Sequence, residues 1–315
     1  MTDTGQILPQ LAGVVCLTDG GLETDLCFNH GIDLPQFAAY DLLRTPQGRQ
    51  LLLDYYREYV AIARRHDLGL VLETPTWRAN PDWAALIGDD APELDRLNRV
   101  AVALVRELRE ELEGAGPTLV VSGCIGPRGD GYTPDLLMSP EQARDYHRAQ
   151  VASFAGGGVD MVSALTLNYV DEAVGIALAA AESGLPLGLS FTVETDGRLP
   201  TGEELRQAID AVDAATDAYP AYYMINCAHP THFDHLFQGD AAWLQRVMGL
   251  RGNASCMSHE ELDNAQTLDD GDPNAFGAQL HALRRAAPWM TVLGGCCGTD
   301  TRHIEQVARR LSRAA

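Results

Sequence analysis

Along the chain, short apolar runs alternate with longer segments whose apolar positions recur every three or four residues. The short runs Val14–Thr18, Leu70–Thr74, Leu119–Gly123, Met161–Leu165, Leu187–Phe191, Tyr222–Asn226, Val247–Leu250 and Thr291–Gly294 predict strands. The longer segments predict helices over Gly48–His66, Glu93–Glu113, Pro140–Ala155, Val170–Glu182, Gly202–Ala215, Pro230–Phe237 and Ala275–Ala287. In the first of these, Leu52, Leu53, Tyr56, Val60, Ile62 and Ala63 lie on an apolar side opposite Asp54, Arg57 and Glu58. Ser139 followed by Pro140 and Glu141 marks a helix start, because a serine accepts from the free backbone N–H groups and proline suits the first turn. Strands alternating with helices predict an α/β protein, a single (β/α)8 TIM barrel over residues 1–315, ahead of an open doubly wound sheet. One segment breaks the rhythm. Arg251–Phe276 is long, polar and acidic, and a loop of that length in a compact domain is usually functional or disordered. It is expected to form a mobile cover over the mouth of the barrel.

Composition narrows the chemistry. All 23 basic residues are arginine, so neither a Schiff-base lysine nor a phosphate-loop lysine is available. A net charge of −21 argues against a nucleic-acid partner, which calls for a basic face. No apolar run reaches the ~18 residues of a membrane span. No basic segment followed by an apolar core marks a signal peptide, so the expected location is the cytoplasm. Seven cysteines, an odd number in that setting, argue against a disulfide framework.

In a barrel, reactive groups gather at the C-terminal ends of the strands. Here those ends carry Asp19-Gly20-Gly21, Glu73-Thr74, Gly123-Cys124, Leu165-Thr166, Asn226-Cys227 and Gly295-Cys296-Cys297-Gly298. Cys227, Cys296 and Cys297 would meet at one mouth as three thiolates, a donor set that selects Zn2+ and leaves one coordination position open. A thiol in that position loses its proton and becomes a nucleophile. The competing reading of Cys296-Cys297 is a buried apolar pair or a vicinal disulfide. Cys16, Cys27, Cys124 and Cys256 read as structural thiols, and His229, His232 and His235 as surface or capping residues.

The stretch Gly294-Gly295-Cys296-Cys297-Gly298-Thr299-Asp300-Thr301-Arg302-His303-Ile304 resembles the C-terminal signature of the homocysteine S-methyltransferases. Asn226-Cys227 resembles their first zinc-ligand motif, and Asp19-Gly20-Gly21-Leu22-Glu23-Thr24 their opening motif. Glu73-Thr74, Gly123 to Gly129, and Ser190-Phe191 followed by Asp196-Gly197 match in order, so the resemblance spans roughly residues 14 to 311. It implies a (β/α)8 barrel, zinc on Cys227, Cys296 and Cys297, and a small-molecule thiol acceptor, usually homocysteine, whose amino group Asp19 helps to hold. The short stretch after the cysteine pair resembles the branch using a sulfonium donor, S-methylmethionine or S-adenosylmethionine. The expected activity is methyl transfer from that donor to homocysteine or a related thiol, in a monomer or weak homo-oligomer. The alternatives are a non-catalytic zinc- or thiol-binding descendant and a betaine-type donor enzyme.

The expected substrate contacts are Asp19, Gly20, Gly21, Glu73, Thr74, Trp77 and Asn226, with the Trp77 ring suited to a cationic donor. One position departs from the resemblance: the family carries a glutamate for the acceptor's amino group where this chain has Leu165. An ammonium facing leucine would need another partner, and Asp19, Glu73 and Glu194 are the candidates.

Overall fold

The computed structural model describes residues 7–112, 116–239 and 242–312. Eight parallel strands close into a barrel in sequential order. They are β1 (Cys16–Leu17), β2 (Gly69–Glu73), β3 (Leu119–Ile125), β4 (Met161–Leu167), β5 (Leu187–Phe191), β6 (Tyr222–Asn226), β7 (Val247–Gly252) and β8 (Val292–Gly295). The helices that return the chain between them are α1 (Pro46–Arg65), α2 (Ala91–Glu111), α3 (Pro140–Gly157), α4 (Val170–Ser183), α5 (Leu205–Thr216), α6 (Pro230–Phe233) and α7 (Pro273–Ala286), and α8 (Thr301–Leu311) follows β8. The expected (β/α)8 barrel is therefore the fold, with every predicted strand in place.

Strand alternation sorts the core into two. Outward-facing residues such as Leu70, Leu72, Val121, Val162 and Leu189 pack with the helices in the larger cluster. Cys16, Val71, Val120, Met161, Tyr222, Met224 and Val292 fill the inside of the barrel. The next inward positions along the same strands are Glu73, Ser122, Ser163, Asn226 and Arg251, so the interior turns from apolar to polar toward the mouth. The N-terminal end is stoppered by Leu8, which joins the inner cluster, and by fully buried Gln10, whose Nε2 lies 3.1 Å from the Met161 sulfur.

Several helix bounds shift for identifiable reasons. Ser139 caps α3 in a capping box with Gln142, and Pro140 opens the helix as expected. The helix expected from Gly202 begins at Leu205, because Gly202 takes φ +91° and Glu204 forms the cap. Pro230–Phe237 divides into α6 and a 3-10 turn over Asp234–Phe237. The segment expected to be a long loop from Arg251 is shorter and more ordered than that. Arg251 and Gly252 complete β7, His259–Asp263 forms a short helix, and Pro273 already begins α7 under an Asp272 cap. Paired backbone groups tie it down: Asn253 N–H donates to the Ala228 carbonyl at 3.0 Å and Ala254 N–H to the Cys297 carbonyl at 3.0 Å.

The barrel closes between β8 and β1 on only two residue pairs, Cys16 with Val292 and Leu17 with Leu293. Beyond them the Gly295 N–H donates to the Asp19 carbonyl at 3.0 Å and the Gly21 N–H to the Thr299 carbonyl at 2.9 Å. A Cβ at Gly21 would stand 2.6 Å from the Cys296 carbonyl oxygen. Gly21→Ala is expected to cost roughly 1–3 kcal/mol, the range for overpacking a tight site. Urea unfolding of the reduced protein measures it, and an unchanged midpoint would show that the seam tolerates the methyl group.

Candidate active site and metal centre

Cys227 follows directly on β6 with φ +54°, and Thr166 within β4 has φ +61°. Such left-handed conformations are uncommon for non-glycine residues and turn a side chain out of its strand's alternation. Cys296 and Cys297 follow β8, and Gly298 after them takes φ +77°. Among the described residues, Cys227, Cys296 and Cys297 form the one group of three potential metal-ligand atoms lying within 4.8 Å of one another. The Cys227 and Cys297 sulfurs are 3.9 Å apart. Two sulfurs sharing a tetrahedral zinc at about 2.3 Å would stand about 3.8 Å apart.

Each sulfur also has a polar neighbour placed to donate. Tyr132 Oη lies 3.6 Å from the Cys297 sulfur, Thr166 Oγ1 3.7 Å from that of Cys227, and Asn226 Nδ2 3.8 Å from that of Cys296. Hydroxyl and amide donors stabilise thiolates, so the set suits a soft divalent cation such as zinc. Asn226 is fixed in turn: its Oδ1 accepts from the Thr166 N–H at 2.8 Å and the Ser190 hydroxyl at 2.6 Å. Burial pushes the Cys297 thiol up from its usual range, against the opposing pull of the Tyr132 hydroxyl. The expectation against a disulfide framework is corrected at one pair. Cys227 and Cys296 are joined as a disulfide, with Cα atoms 5.3 Å apart. Convergence on one point places these two sulfurs within bonding reach, and the bond must be reduced before both can ligate a metal. Cys296-Cys297 is not a vicinal disulfide.

Below the cysteines lies a cavity of about 360 Å3. Asp19, Glu73, Leu165 and Arg251 are all on its wall, as are Gly20, Gly21, Thr74, Trp77 and Asn226. Arg251 Nη2 donates to Asp19 Oδ1 at 2.6 Å, and Arg251 Nε to the Gly295 carbonyl at 3.1 Å. Tyr55 Oη donates to Asp19 Oδ2 at 3.2 Å. Both Asp19 oxygens are thus engaged within the protein. Burial pushes the Glu73 carboxyl up to about 7, opposed by Arg251 and by the Ser163 and Ser122 hydroxyls. Leu165 is buried and offers no polar atom.

The outer wall carries Trp77 and Arg78. The Arg78 guanidinium sits 4.3 Å from the Trp77 ring centre and 3.6 Å from that of Trp83. A cation therefore already lies against the indole that the sequence assigned to a donor. On the other side, His259 stacks on Tyr132 at 3.9 Å and joins Glu194 Oε1 at 2.9 Å and the Cys227 carbonyl at 2.8 Å. Glu194 is therefore taken up by His259.

A family model described as homocysteine S-methyltransferase matches residues 16–311. The chain belongs to the homocysteine S-methyltransferase family. It is a methyltransferase. It is 24% identical to homocysteine S-methyltransferase 4 of Zea mays, over 96% of this chain and 91% of that protein. It is 24% identical to betaine–homocysteine S-methyltransferase 1 of Danio rerio, over 96% of this chain and 74% of that protein. The crystal structure of the metallated homocysteine methyltransferase MmuM from Escherichia coli has the same fold, with a TM-score of 0.71 at 23% identity over 94% of this chain and 96% of that one.

Measured against the family motifs, the structure brings all the expected site residues to one mouth but changes several partners. Arg251, read as the start of a loop, is the buried cation of the site. Tyr132, Thr166 and His259 were missed as supports of the cysteines. A lone arginine ending the apolar run Val247–Leu250 was the available signal for the first; nothing local marks the others. His229 is the N-cap of α6, its Nδ1 accepting from the Thr231 N–H at 3.3 Å, but His232 is buried against the Cys256 carbonyl rather than on the surface. Cys124 is a buried thiol on the cavity wall and Cys256 is exposed.

The Glu73 carboxyl gives a pH prediction. Its folded value of about 7 lies above the ordinary 4.5, so its stabilising contribution is complete below about 4.5 and is lost as pH rises through about 7. The stability of the native chain relative to Glu73→Gln is expected to fall by roughly 2–4 kcal/mol across that window and to be level on either side. Urea unfolding of both proteins between those limits checks it, and a pH-independent difference would contradict it.

Proposed function

We propose that the chain is a zinc-dependent thiol S-methyltransferase that moves a methyl group from a sulfonium donor to homocysteine or a related thiol, forming methionine or the corresponding thioether. The single observation that carries the zinc assignment is the convergence of three cysteine sulfurs, each with its own hydroxyl or amide donor. Cys227, Cys296 and Cys297 would hold a zinc ion, which when bound would supply the Lewis acidity that keeps an acceptor thiol deprotonated near neutral pH. The thiolate sulfur attacks the methyl carbon in line with the bond to the donor sulfur. A carbon–sulfur bond forms on the acceptor, the old one breaks, and its electron pair neutralises the donor. No general base is required, and the His259–Glu194 pair beside Cys227 is engaged with the Cys227 carbonyl.

The protein's own residues supply position and exclusion of water. Tyr132, Thr166 and Asn226 fix the sulfurs, and Trp77 with Gly20 and Gly21 shapes the wall against which both substrates lie. A site of three thiolates needs the Cys227–Cys296 bond reduced, which suits the reducing cytoplasm. We assign the chain there, as a monomer or weak homo-oligomer. No helix among the described residues is long and apolar enough to cross a membrane.

The reduced protein is expected to bind about one zinc per chain, as expected for a three-thiolate site. Cys297→Ser should lose both the metal and methyl transfer. Metal analysis beside a turnover assay decides it; a Cys297→Ser protein with full zinc and full activity would overturn the assignment, and full zinc without turnover of any thiol in the native chain would mark a non-catalytic binder.

A further inference from the structure

Beyond β7 the chain crosses the mouth of the barrel from Asn253 to Asp272, the cap of α7. Leu262, Asp263, Ala265, Thr267 and Leu268 of this segment line the cavity. Its two ends are tied down. Ala254 N–H donates to the Cys297 carbonyl at 3.0 Å, Ser255 Oγ to Asp269 Oδ2 at 2.6 Å, and Arg302 Nη2 to Asp270 Oδ2 at 2.6 Å. The stretch between them, residues 256–268, has one buried residue, His259, at 5% exposure. Among the described residues, hydrogen bonds from this stretch to the protein outside the segment run through His259 and, at its first residue, from His232 to the Cys256 carbonyl.

His259 reaches two of the candidate metal ligands at once. Its Nε2 faces the Cys227 carbonyl at 2.8 Å; a carbonyl only accepts, so Nε2 donates. Its Nδ1 lies 2.9 Å from Glu194 Oε1, which fixes the plane of the ring. That plane stacks on Tyr132, with ring centres 3.9 Å apart and 11° between planes. The Tyr132 hydroxyl is the group 3.6 Å from the Cys297 sulfur. Cys227 holds φ +54°, a conformation that a cysteine keeps only where its surroundings impose it. Its carbonyl is oriented by His259 and, through a longer bond of 3.3 Å, by the Thr192 hydroxyl. Withdrawing the segment therefore loosens the Cys227 backbone and the Tyr132 ring together.

We propose that His259 is a positioning residue that couples closure of the segment to assembly of the three-sulfur site, so that the hold on the metal and the outer wall of the cavity depend on each other. The inference rests on the metal-site reading above and goes beyond it. Such coupling is reciprocal: what the closed segment adds to metal affinity, the metal adds to closure. The wall supplied by Leu262, Ala265, Thr267 and Leu268 is then held most firmly on a loaded site.

Hydrogen exchange of the reduced full chain, with and without zinc, tests the coupling, beside zinc affinity measured by competition with a chromophoric chelator. In the native chain zinc should slow exchange across residues 256–268 by about tenfold or more, the scale of a coupling between two sites. His259→Ala should abolish that slowing and leave exchange in the barrel strands unchanged. It should also weaken zinc by about tenfold or more, the scale of losing a group that orients a metal ligand. His259→Gln, whose amide can still donate to the Cys227 carbonyl, should recover most of the affinity. Glu260→Ala, an exposed change in the same segment, should stay within about threefold of the native chain. With Co2+ in place of zinc, the ligand-field bands should shift in His259→Ala and not in Glu260→Ala. If zinc leaves exchange of the segment unchanged in the native chain, or if His259→Ala binds zinc as tightly as the native chain, the coupling is wrong although the zinc site stands. If the reduced native chain binds no zinc, that site and this inference both fall. Should His259→Ala not fold, exchange in the native chain decides alone.

Discussion

The structure depends on how its barrel is closed where β8 meets β1. The ladder there is two residue pairs long, and the chain beyond it is held by backbone bonds between Gly295 and Asp19 and between Gly21 and Thr299. Arg251 completes the closure from β7. Its guanidinium bonds the Asp19 carboxylate and the Gly295 and Gly20 carbonyls, so one side chain joins the ends of three strands. Cys296 and Cys297 follow within two residues of Gly295. The placement of Cys296 and Cys297, two of the three candidate metal ligands, is therefore a consequence of the seam.

A buried ion pair of this kind is weak as a source of stability, because desolvating both charges offsets most of their attraction. Its value lies in rigidity. Removing Asp19 would leave the guanidinium with two carbonyls and the Glu73 carboxylate 3.9 Å away, whereas the intact pair fixes Arg251 across the barrel. The same burial holds the Glu73 carboxyl up to about 7 on the wall of the cavity that Arg251 also borders. The supports of the cysteines follow the same logic: Ser190 holds Asn226, Asn226 holds Thr166, and the two reach two sulfurs.

Much of this was legible in the sequence because barrels impose simple rules. A strand buried on both sides reads as a short apolar run, so all eight were recoverable, and their positions at strand ends placed Glu73, Leu165 and Asn226 at the mouth. The cysteines were legible because Cys227 and Cys296-Cys297 end strands on that mouth. Arg251 was not. A charge after an apolar run reads as the start of a loop, and only the three-dimensional closure reveals Asp19 opposite it, 232 positions away. The segment after β7 looked mobile for its acidic, glycine-containing sequence, yet His259 stacked on Tyr132 and the Ala254 bond to Cys297 fasten it to the site. Left-handed Thr166 and Cys227 were likewise invisible, since neither residue type announces that conformation.

The central claim is that three sulfurs of this chain hold one zinc and leave a position for the sulfur of an acceptor. X-ray absorption at the zinc edge of the reduced protein, before and after addition of homocysteine, tests it most directly. Three sulfur ligands at about 2.3 Å and one lighter atom, becoming four sulfurs when the thiol is added, is the result expected. Fewer than three sulfurs in the free protein, or a ligand shell unchanged by the thiol, would contradict it.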